Sequence, residues 1–236
     1  MIKDKSYLSG KHQFYGRRKG YSISEFRLKL MNELLPKLLI DLKKSGLITP
    51  SLLFNKGGDV WLEVGFGAGE HLVAQAERYP SIGFIGCEPY VNGVARVLSE
   101  IKRKSLHNVL LYNNDARQLL EKLAPASISK VFVLFSDPWP KNRHNRRRFI
   151  NYENLNALSR VMKDRAKLRF ATDDMSFVRW ALNVFHRHPD FDWLVDGPED
   201  WRNRYNDAIS TRYEDKAIKR GQQCIYLTFR RCPRNK

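Results

Sequence analysis

The chain has 236 residues, of which 42% are hydrophobic and 28% are charged, and this composition excludes the collagen-like, wholly disordered and disulfide-scaffold classes. Lysine and arginine number 42 against 25 aspartates and glutamates, a net charge of +17. Such an excess favours a polyanionic partner, although charge alone is also compatible with a merely basic surface.

The three cysteines, Cys87, Cys224 and Cys232, show no C-x-x-C spacing that would indicate zinc or a redox pair. The N-terminus has no apolar leader, and the longest strongly apolar run, residues 131–135, is too short to span a bilayer. We therefore expect a reduced, cytoplasmic protein with no membrane segment. The histidines show no spacing typical of metal ligands, so no metal site is expected.

Residues 1–30 contain eight lysines and arginines against two acids and few core-forming residues, and this pattern indicates a basic arm. Apolar residues then recur at helical spacing and predict an amphipathic helix that Gly46 and Pro50 close. Its apolar stripe consists of Met31, Leu34, Leu35, Leu38, Leu39 and Leu42. We assign the arm and helix, residues 1–50, as an extension that packs on a main domain of residues 51–236.

From about residue 58, short apolar runs alternate with amphipathic stretches, which is typical of successive βα units. The last run follows a polar region that is long for a connection, and such long connections are usually functional. The predicted strands are residues 60–64, 83–87, 109–112, 131–135, 168–171 and 224–229.

A glycine turn connects the first predicted strand to a helix, in the sequence WLEVGFGAGEH. Gly65, Gly67 and Gly69 occupy the position of a nucleotide site in Rossmann-like sheets. Dinucleotide sites need a small residue where this chain has Glu70, whose carboxylate would repel a pyrophosphate at the helix N-terminus. The spacing favours a cofactor with an adenosine and an amino-acid tail but no phosphate, namely S-adenosylmethionine.

Acidic residues at three successive strand ends could hold this cofactor. Glu63 could meet the methionine ammonium, and Glu88 could accept from both ribose hydroxyls. Asp115 follows the third strand, within reach of the adenine amine. Each acid alone could simply cap the next helix, but three in succession behind this glycine spacing favour the cofactor.

The fourth strand ends in SDPWPKNRHNRRRF. Pro138 and Pro140 stiffen the turn and hold Asp137 and Trp139 at the carboxyl edge of the sheet. The basic run that follows, KNRHNRRR at residues 141–148, could be a solvated face. Its place directly after a rigid turn instead favours a segment that binds a phosphate backbone.

The chain resembles the bacterial tRNA (guanine-N7)-methyltransferases, the TrmB family, in the segments LEVGFGAGEH, GCEPY, NNDAR, FSDPWPKNRHNRRR, ATDD and TRYEDKAIKRG. The string F-x-D-P-W-x-K-x-R-H together with T-x-Y/F-E-x-K is specific to that family, whereas the glycine motif alone is not. Two positions depart from the usual pattern: Ser136 replaces a proline, and Tyr213 replaces a frequent phenylalanine.

The resemblance implies an α/β fold of the Rossmann-like class I S-adenosylmethionine-dependent methyltransferases. This fold has a mostly parallel sheet of about seven strands with an antiparallel last strand, here preceded by the basic extension and helix. The implied reaction transfers a methyl group from S-adenosylmethionine to N7 of the guanine at position 46 in the tRNA variable loop.

Residue roles follow by motif. Cofactor contacts match Glu63, Gly65, Gly67, Gly69, Glu88, Asp115 and Asp137, and Asp137 also matches the catalytic residue. Substrate contacts match Lys141, Asp173, Thr211, Arg212, Tyr213 and Glu214. RNA contacts match Arg143, His144, Asn145, Arg146, Arg147 and Arg148.

The chemistry agrees with these roles. N7 of guanine has an available lone pair and no proton, so its attack on a sulfonium methyl needs alignment rather than a strong base. Asp137 could favour the positive charge that develops on the purine, or it could mainly grip the cofactor or the guanine N–H edge. Asp173 or Glu214 could accept from that edge, and Tyr213 or Trp139 could stack on the base.

Two alternatives stay open on the residues alone. A methyltransferase of exocyclic amines carries a D-P-P-Y type motif at the same strand end, where this chain has Pro-Trp-Pro. A non-catalytic RNA-binding protein on a degenerate Rossmann-like fold would also be basic, but the intact glycine spacing and strand-end acids speak against it. A monomer and a homodimer are both compatible with the sequence.

Overall fold

The computed structural model describes residues 14–43, 46–54 and 57–234. A seven-stranded sheet lies at the centre, with the order β3-β2-β1-β4-β5-β7-β6. Strands β1 to β5 run parallel, and β7 is antiparallel to both of its neighbours, which confirms the predicted fold. The strands are β1 (Val60–Val64), β2 (Gly83–Cys87), β3 (Val109–Tyr112), β4 (Ile128–Leu134), β5 (Met162–Thr172), β6 (Phe191–Trp193) and β7 (Ile225–Arg231).

Helices cover both faces of the sheet. One apolar core lies between the sheet and α5, α6 and α7, and a second lies between the sheet and α1, α3 and α4. Within the described ranges, no helix is long and apolar enough to cross a membrane. The helices are α1 (Glu25–Glu33), α2 (Leu35–Leu38), α3 (Glu70–Arg78), α4 (Val91–Arg103), α5 (Ala116–Lys122), α6 (Tyr152–Val161), α7 (Met175–Arg187), α8 (Glu199–Arg202) and α9 (Arg212–Lys219).

The first three predicted strands have the observed bounds, whereas the later ones are longer than predicted. β4 begins at Ile128, and β5 begins at Met162 with a polar, partly exposed stretch that has no apolar run. β6 was not predicted, because it has three residues of which only Phe191 is buried.

The prediction of one helix through residues 31–42 is wrong in its extent. α1 begins at Glu25, inside the predicted basic arm, and α2 restarts with Pro36 in its first turn. Proline has no N–H to donate and cannot continue the preceding helix. Beyond α2 the chain is extended, and the Ile40 N–H donates to the Leu111 carbonyl at 2.9 Å along the edge of β3. Residues 1–13 of the predicted arm lie outside the described residues.

The long polar region before β7 contains α8 and α9 and is anchored on the sheet. The Tyr205 hydroxyl donates to the main-chain oxygens of Phe170 and Leu227, at 3.2 and 2.8 Å. Arg169 on β5 forms an ion pair with Asp207. These contacts hold the segment that precedes α9 against β5 and β7.

The turn between β1 and α3 depends on glycine. Gly65, Gly67 and Gly69 have φ angles of +76°, +57° and +82°, a region that side-chain-bearing residues rarely adopt. Gly93 in the first turn of α4 lies against this loop, since a Cβ there would come within 2.1 Å of the Gly67 carbonyl oxygen. The glycine loop and α4 are therefore in backbone contact.

We expect Gly93→Ala to destabilise the protein by about 1–3 kcal/mol, because the added methyl group overlaps rigid backbone. Helix propensity alone would favour the change by about 1 kcal/mol, so the two effects have opposite signs. Urea denaturation measures the difference. Gly197→Ala is the matched control, because a Cβ at Gly197 meets no atom within 4 Å; equal stability of the two variants would contradict the contact.

Candidate active site

The carboxyl ends of β1, β2, β3 and β4 surround a cleft of about 410 Å³. Most of the predicted cofactor residues meet there, although Gly69 instead lies against Val97 of α4. The N-terminal segment forms a further wall with Phe14, Tyr15, Gly16 and Arg17, which sequence reasoning missed. The predicted cofactor residues in the lining are Glu63, Gly65, Gly67, Glu88, Asp115 and Asp137.

Glu88 is buried and binds the glycine loop. Its carboxylate accepts from the N–H groups of Gly67 and Tyr90, at 2.7 and 2.9 Å. Burial, assisted by the nearby carboxylates of Asp137 and Glu63, raises the pKa of Glu88 to about 7 despite these two hydrogen bonds. Each carboxylate oxygen keeps lone-pair capacity for a ligand hydroxyl.

Glu63 and Asp115 each have a partner inside the protein. Glu63 is 4% exposed, and its Oε2 lies 2.8 Å from Nδ1 of the equally buried His71. Asp115 caps α5 by accepting from the Arg117 N–H at 3.0 Å. Both of its carboxylate oxygens also accept from the Arg117 guanidinium, and its contact with the cofactor stays a prediction.

The cleft fits S-adenosylmethionine in its chemistry. A Cβ on Gly65 would meet no atom within 4 Å, so a ligand can approach the main chain there. The acids Glu63, Glu88 and Asp137 line the same cleft, and carboxylates can accept hydrogen bonds from an ammonium group and from hydroxyls. Cofactor contact by each of these residues stays a prediction.

The turn after β4 is strained and braced. Phe135 and Trp139 have positive φ angles, +50° and +45°, which non-glycine residues adopt at an energetic cost that surrounding contacts must offset. Arg148 supplies such contacts: its guanidinium donates to the Pro138 carbonyl at 2.7 Å and to the Ser176 hydroxyl at 2.9 Å.

Arg148 itself is only 2% exposed. Because a phosphate contact requires an accessible side chain, this burial favours a structural role for Arg148, and its contact with RNA stays a prediction. Its buried guanidinium instead ties the turn after β4 to the start of α7. A run of arginines in a sequence gives no indication of which member points inward.

Asp137 lies at the mouth of the cleft, where its side chain keeps access to solvent. The cleft walls still remove part of its hydration, and this desolvation raises its pKa above the ordinary value. Asp137 is therefore placed where a ligand in the cleft and a substrate at its mouth could both reach it.

Tyr15, Trp139 and Arg147 form a cluster at the cleft mouth. The Arg147 guanidinium lies 4.2 Å from the centroid of the Tyr15 ring and 5.0 Å from that of the Trp139 ring. Such cation–π contacts are favourable. Tyr15 was not predicted, because it is more than 120 residues distant from its partners in the chain.

The other members of the basic run differ in exposure. Arg143 and Arg146 are exposed, whereas His144 and Asn145 are half-buried. The His144 ring lies edge-on to Trp139, with centroids 5.9 Å apart. Partial desolvation, followed by the charges of neighbouring arginines and Lys141, lowers the pKa of His144. RNA contact by these residues stays a prediction.

The predicted substrate string begins α9. Thr211 and Glu214 form a capping box, in which each side chain satisfies a main-chain N–H at the helix start. The Tyr226 hydroxyl also donates to Glu214, at 2.5 Å. Since this carboxylate is only 3% exposed, it has a structural role whether or not it also contacts guanine.

Tyr213 and Arg212 connect α9 to the glycine loop. A Cβ on Gly67 would lie 3.2 Å from the Tyr213 ring, and Arg212 forms an ion pair with Glu70. Thr211 and Tyr213 line the cleft. Among the described residues, Lys141, Asp173, Arg212 and Glu214 do not belong to its lining, so their predicted substrate contacts would lie outside the cleft.

Replacing Glu88 by glutamine tests its raised pKa. A carboxyl group whose pKa is higher in the folded than in the unfolded state stabilises the fold at low pH, and this contribution is lost as the pH rises through about 7. Glutamine does not titrate. The free energy of unfolding of Glu88→Gln relative to wild type should therefore increase between about pH 5 and pH 8. Urea titrations at several pH values measure it; a difference independent of pH would contradict the raised pKa.

Solved methyltransferase structures are similar to this chain in fold. The 16S rRNA methyltransferase KamB has a TM-score of 0.53 at 19% identity, over 77% of this chain and 92% of that chain. The precorrin-6y C5,15-methyltransferase from Geobacter metallireducens has a TM-score of 0.51 at 13% identity, over 74% of this chain and 79% of that chain. At these identities the likeness concerns the fold alone.

Relatives identified by sequence are more similar to this chain than these solved structures are. The family model described as "Putative methyltransferase" matches residues 58–227. The tRNA (guanine-N(7)-)-methyltransferase of Rhodospirillum rubrum is 45% identical, over 94% of this chain and 89% of that protein. The protein of the same name from Bartonella quintana is 43% identical, over 97% of this chain and 99% of that protein. Sequence identity of this level, over nearly the full length of the chain, confirms the resemblance. The chain belongs to the tRNA (guanine-N7)-methyltransferase family.

Proposed function

We propose that this protein transfers the methyl group of S-adenosylmethionine to N7 of the guanine at position 46 in the tRNA variable loop. The observation that carries the proposal is the identity of 41–46% to tRNA (guanine-N(7)-)-methyltransferases over nearly the whole chain. The cleft beside the braced turn after β4, with carboxylates at the strand ends, supports it. Since the substrate would be tRNA, we also propose that the protein acts in the cytoplasm.

Positioning accounts for most of the proposed catalysis. The cofactor supplies an electrophilic methyl group on a sulfonium. The protein has to hold the guanine N7 lone pair in line with that group, and no proton has to be removed. The braced turn holds Asp137 at the cleft mouth, where a carboxylate favours positive charge on the purine. In the alternative role, Asp137 binds the cofactor or the guanine N–H edge instead.

The two rival functions make different demands on this site. An exocyclic amine has to lose a proton and needs an acceptor beside it, in a D-P-P-Y type turn, whereas this chain has Asp137-Pro-Trp-Pro. A binding module without catalysis has no need of a cofactor cleft. Methylation mapping separates all three functions.

We expect wild-type protein to label unmodified tRNA from radiolabelled S-adenosylmethionine, and borohydride–aniline treatment to cleave the product at position 46. Asp137→Ala should lower turnover by about 100-fold or more, because charge stabilisation or alignment at the reacting atom is lost. Asp192→Ala, on the exposed strand β6, is the control and should retain activity.

Three results would contradict the proposal. Labelled tRNA that resists cleavage would exclude N7, and a transcript with adenine at position 46 that is labelled equally would exclude that position. Normal turnover by Asp137→Ala would exclude the assigned role of this carboxylate.

The basic run should separate into a binding part and a structural part. Replacing the exposed Arg143 and Arg146 by alanine should weaken tRNA binding and flatten the slope of log K against log salt by roughly 1–2, with stability unchanged. Arg148→Ala should instead lower the free energy of unfolding by about 2 kcal/mol, because buried hydrogen bonds to a charged group are lost. Filter binding at several salt concentrations and urea denaturation measure the two effects.

Comparison of the two variants shows which arginines bind tRNA and which stabilise the fold. If Arg148→Ala flattened the salt slope without destabilising the fold, the structural role of Arg148 would be wrong. If the double variant kept the wild-type slope, Arg143 and Arg146 would be a solvated face with no contact to phosphate.

A further inference from the structure

His71 is a buried titratable residue in the cleft that the proposed reaction does not use. It lies in the first turn of α3, directly after the glycine loop, and it is 3% exposed. Its Nδ1 lies 2.8 Å from Oε2 of Glu63 on β1, whose side chain is buried as deeply. Both residues line the cleft.

The hydrogen bond fixes which nitrogen of His71 carries the proton. A carboxylate can only accept, so Nδ1 donates to Glu63. In the described part of the chain the buried Nε2 has no hydrogen-bond partner, and a second proton there would be an unsatisfied buried donor. We therefore assign Nδ1 as the nitrogen that donates in this contact. The Phe132 ring packs edge-on at a centroid distance of 4.6 Å and limits rotation of the imidazole.

This contact leaves one side of Glu63 for a ligand. Oε2 accepts from His71, and within the described residues no hydrogen bond from the protein reaches Oε1. Two further carboxylates, Glu88 and Asp137, line the same cleft, and Glu63 is close enough to Glu88 to raise its pKa. A ligand ammonium is the group that this arrangement of carboxylates favours.

We propose that His71 is a positioning residue for cofactor binding: its Nδ1–H holds the Glu63 carboxylate in the orientation that receives the α-ammonium of the amino-acid tail. This inference rests on the proposed use of S-adenosylmethionine and assigns a role to the last residue of the segment LEVGFGAGEH, to which the motif comparison gave none. His71 acts only through Glu63 and touches no reacting atom.

Two nucleosides test the proposal by calorimetry. S-adenosylhomocysteine carries the ammonium tail, and 5′-methylthioadenosine lacks the amino-acid part but keeps the adenosine. We expect His71→Leu to weaken binding of S-adenosylhomocysteine by about tenfold and to leave binding of 5′-methylthioadenosine within about twofold of wild type. Glu88→Gln is the comparison variant, and it should weaken both ligands because both carry the ribose.

Amide substitutions test the donor atom. The amide nitrogen of asparagine occupies about the place of Nδ1, and that of glutamine the place of Nε2. His71→Asn should therefore bind S-adenosylhomocysteine within about threefold of wild type, whereas His71→Gln should resemble His71→Leu. This comparison also applies if His71→Leu fails to fold, which thermal denaturation followed by circular dichroism detects.

Equal weakening of both nucleosides in His71→Leu would show a general packing role and overturn the proposal. Unchanged affinity for S-adenosylhomocysteine, or no difference between the asparagine and glutamine variants, would overturn it too. These outcomes differ from a failure of the proposed function. In that case the wild-type protein would bind neither nucleoside, or it would methylate another atom of tRNA.

Discussion

The parallel register of β2, β1 and β4 is the constraint on which the site depends. Val64 pairs with Cys87 on one side and with Val133 on the other, so the three strands end level and their following loops meet at one edge. Glu63, Glu88 and Asp137 reach a common cleft for that reason. Positive φ angles at the glycines let the main chain turn sharply enough to leave space between them.

Further contacts join the glycine loop to the other walls of the cleft. α9 lies on the glycine loop through Tyr213, the N-terminal segment reaches the cleft mouth through Tyr15, and Arg148 braces the turn that carries Asp137. The walls of the cofactor cleft are thus largely the same elements that would receive the guanosine. A catalyst that works mainly by alignment needs this shared, rigid frame.

Local patterns predicted the sheet and most of the cleft, because glycine spacing and strand-end acids are read from neighbouring residues. Features that depend on tertiary contact were missed. Tyr15 lies in no motif, and His71 ends the segment LEVGFGAGEH without a role assigned to it. The inward direction of Arg148 is set by Pro138 and Ser176 rather than by its basic neighbours. His71 had one usable signal: the first turn of a helix after a β-strand and a tight turn lies beside the end of that strand.

We expect the acids at the level strand ends to hold the methyl donor in one orientation. A crystal structure with S-adenosylhomocysteine should place the ligand amino group within about 3 Å of Glu63 and the ribose hydroxyls within about 3 Å of Glu88, with the sulfur facing Asp137. A ligand bound outside this cleft, or bound in it with its adenine and amino-acid ends exchanged, would show that these acids do not orient the methyl donor.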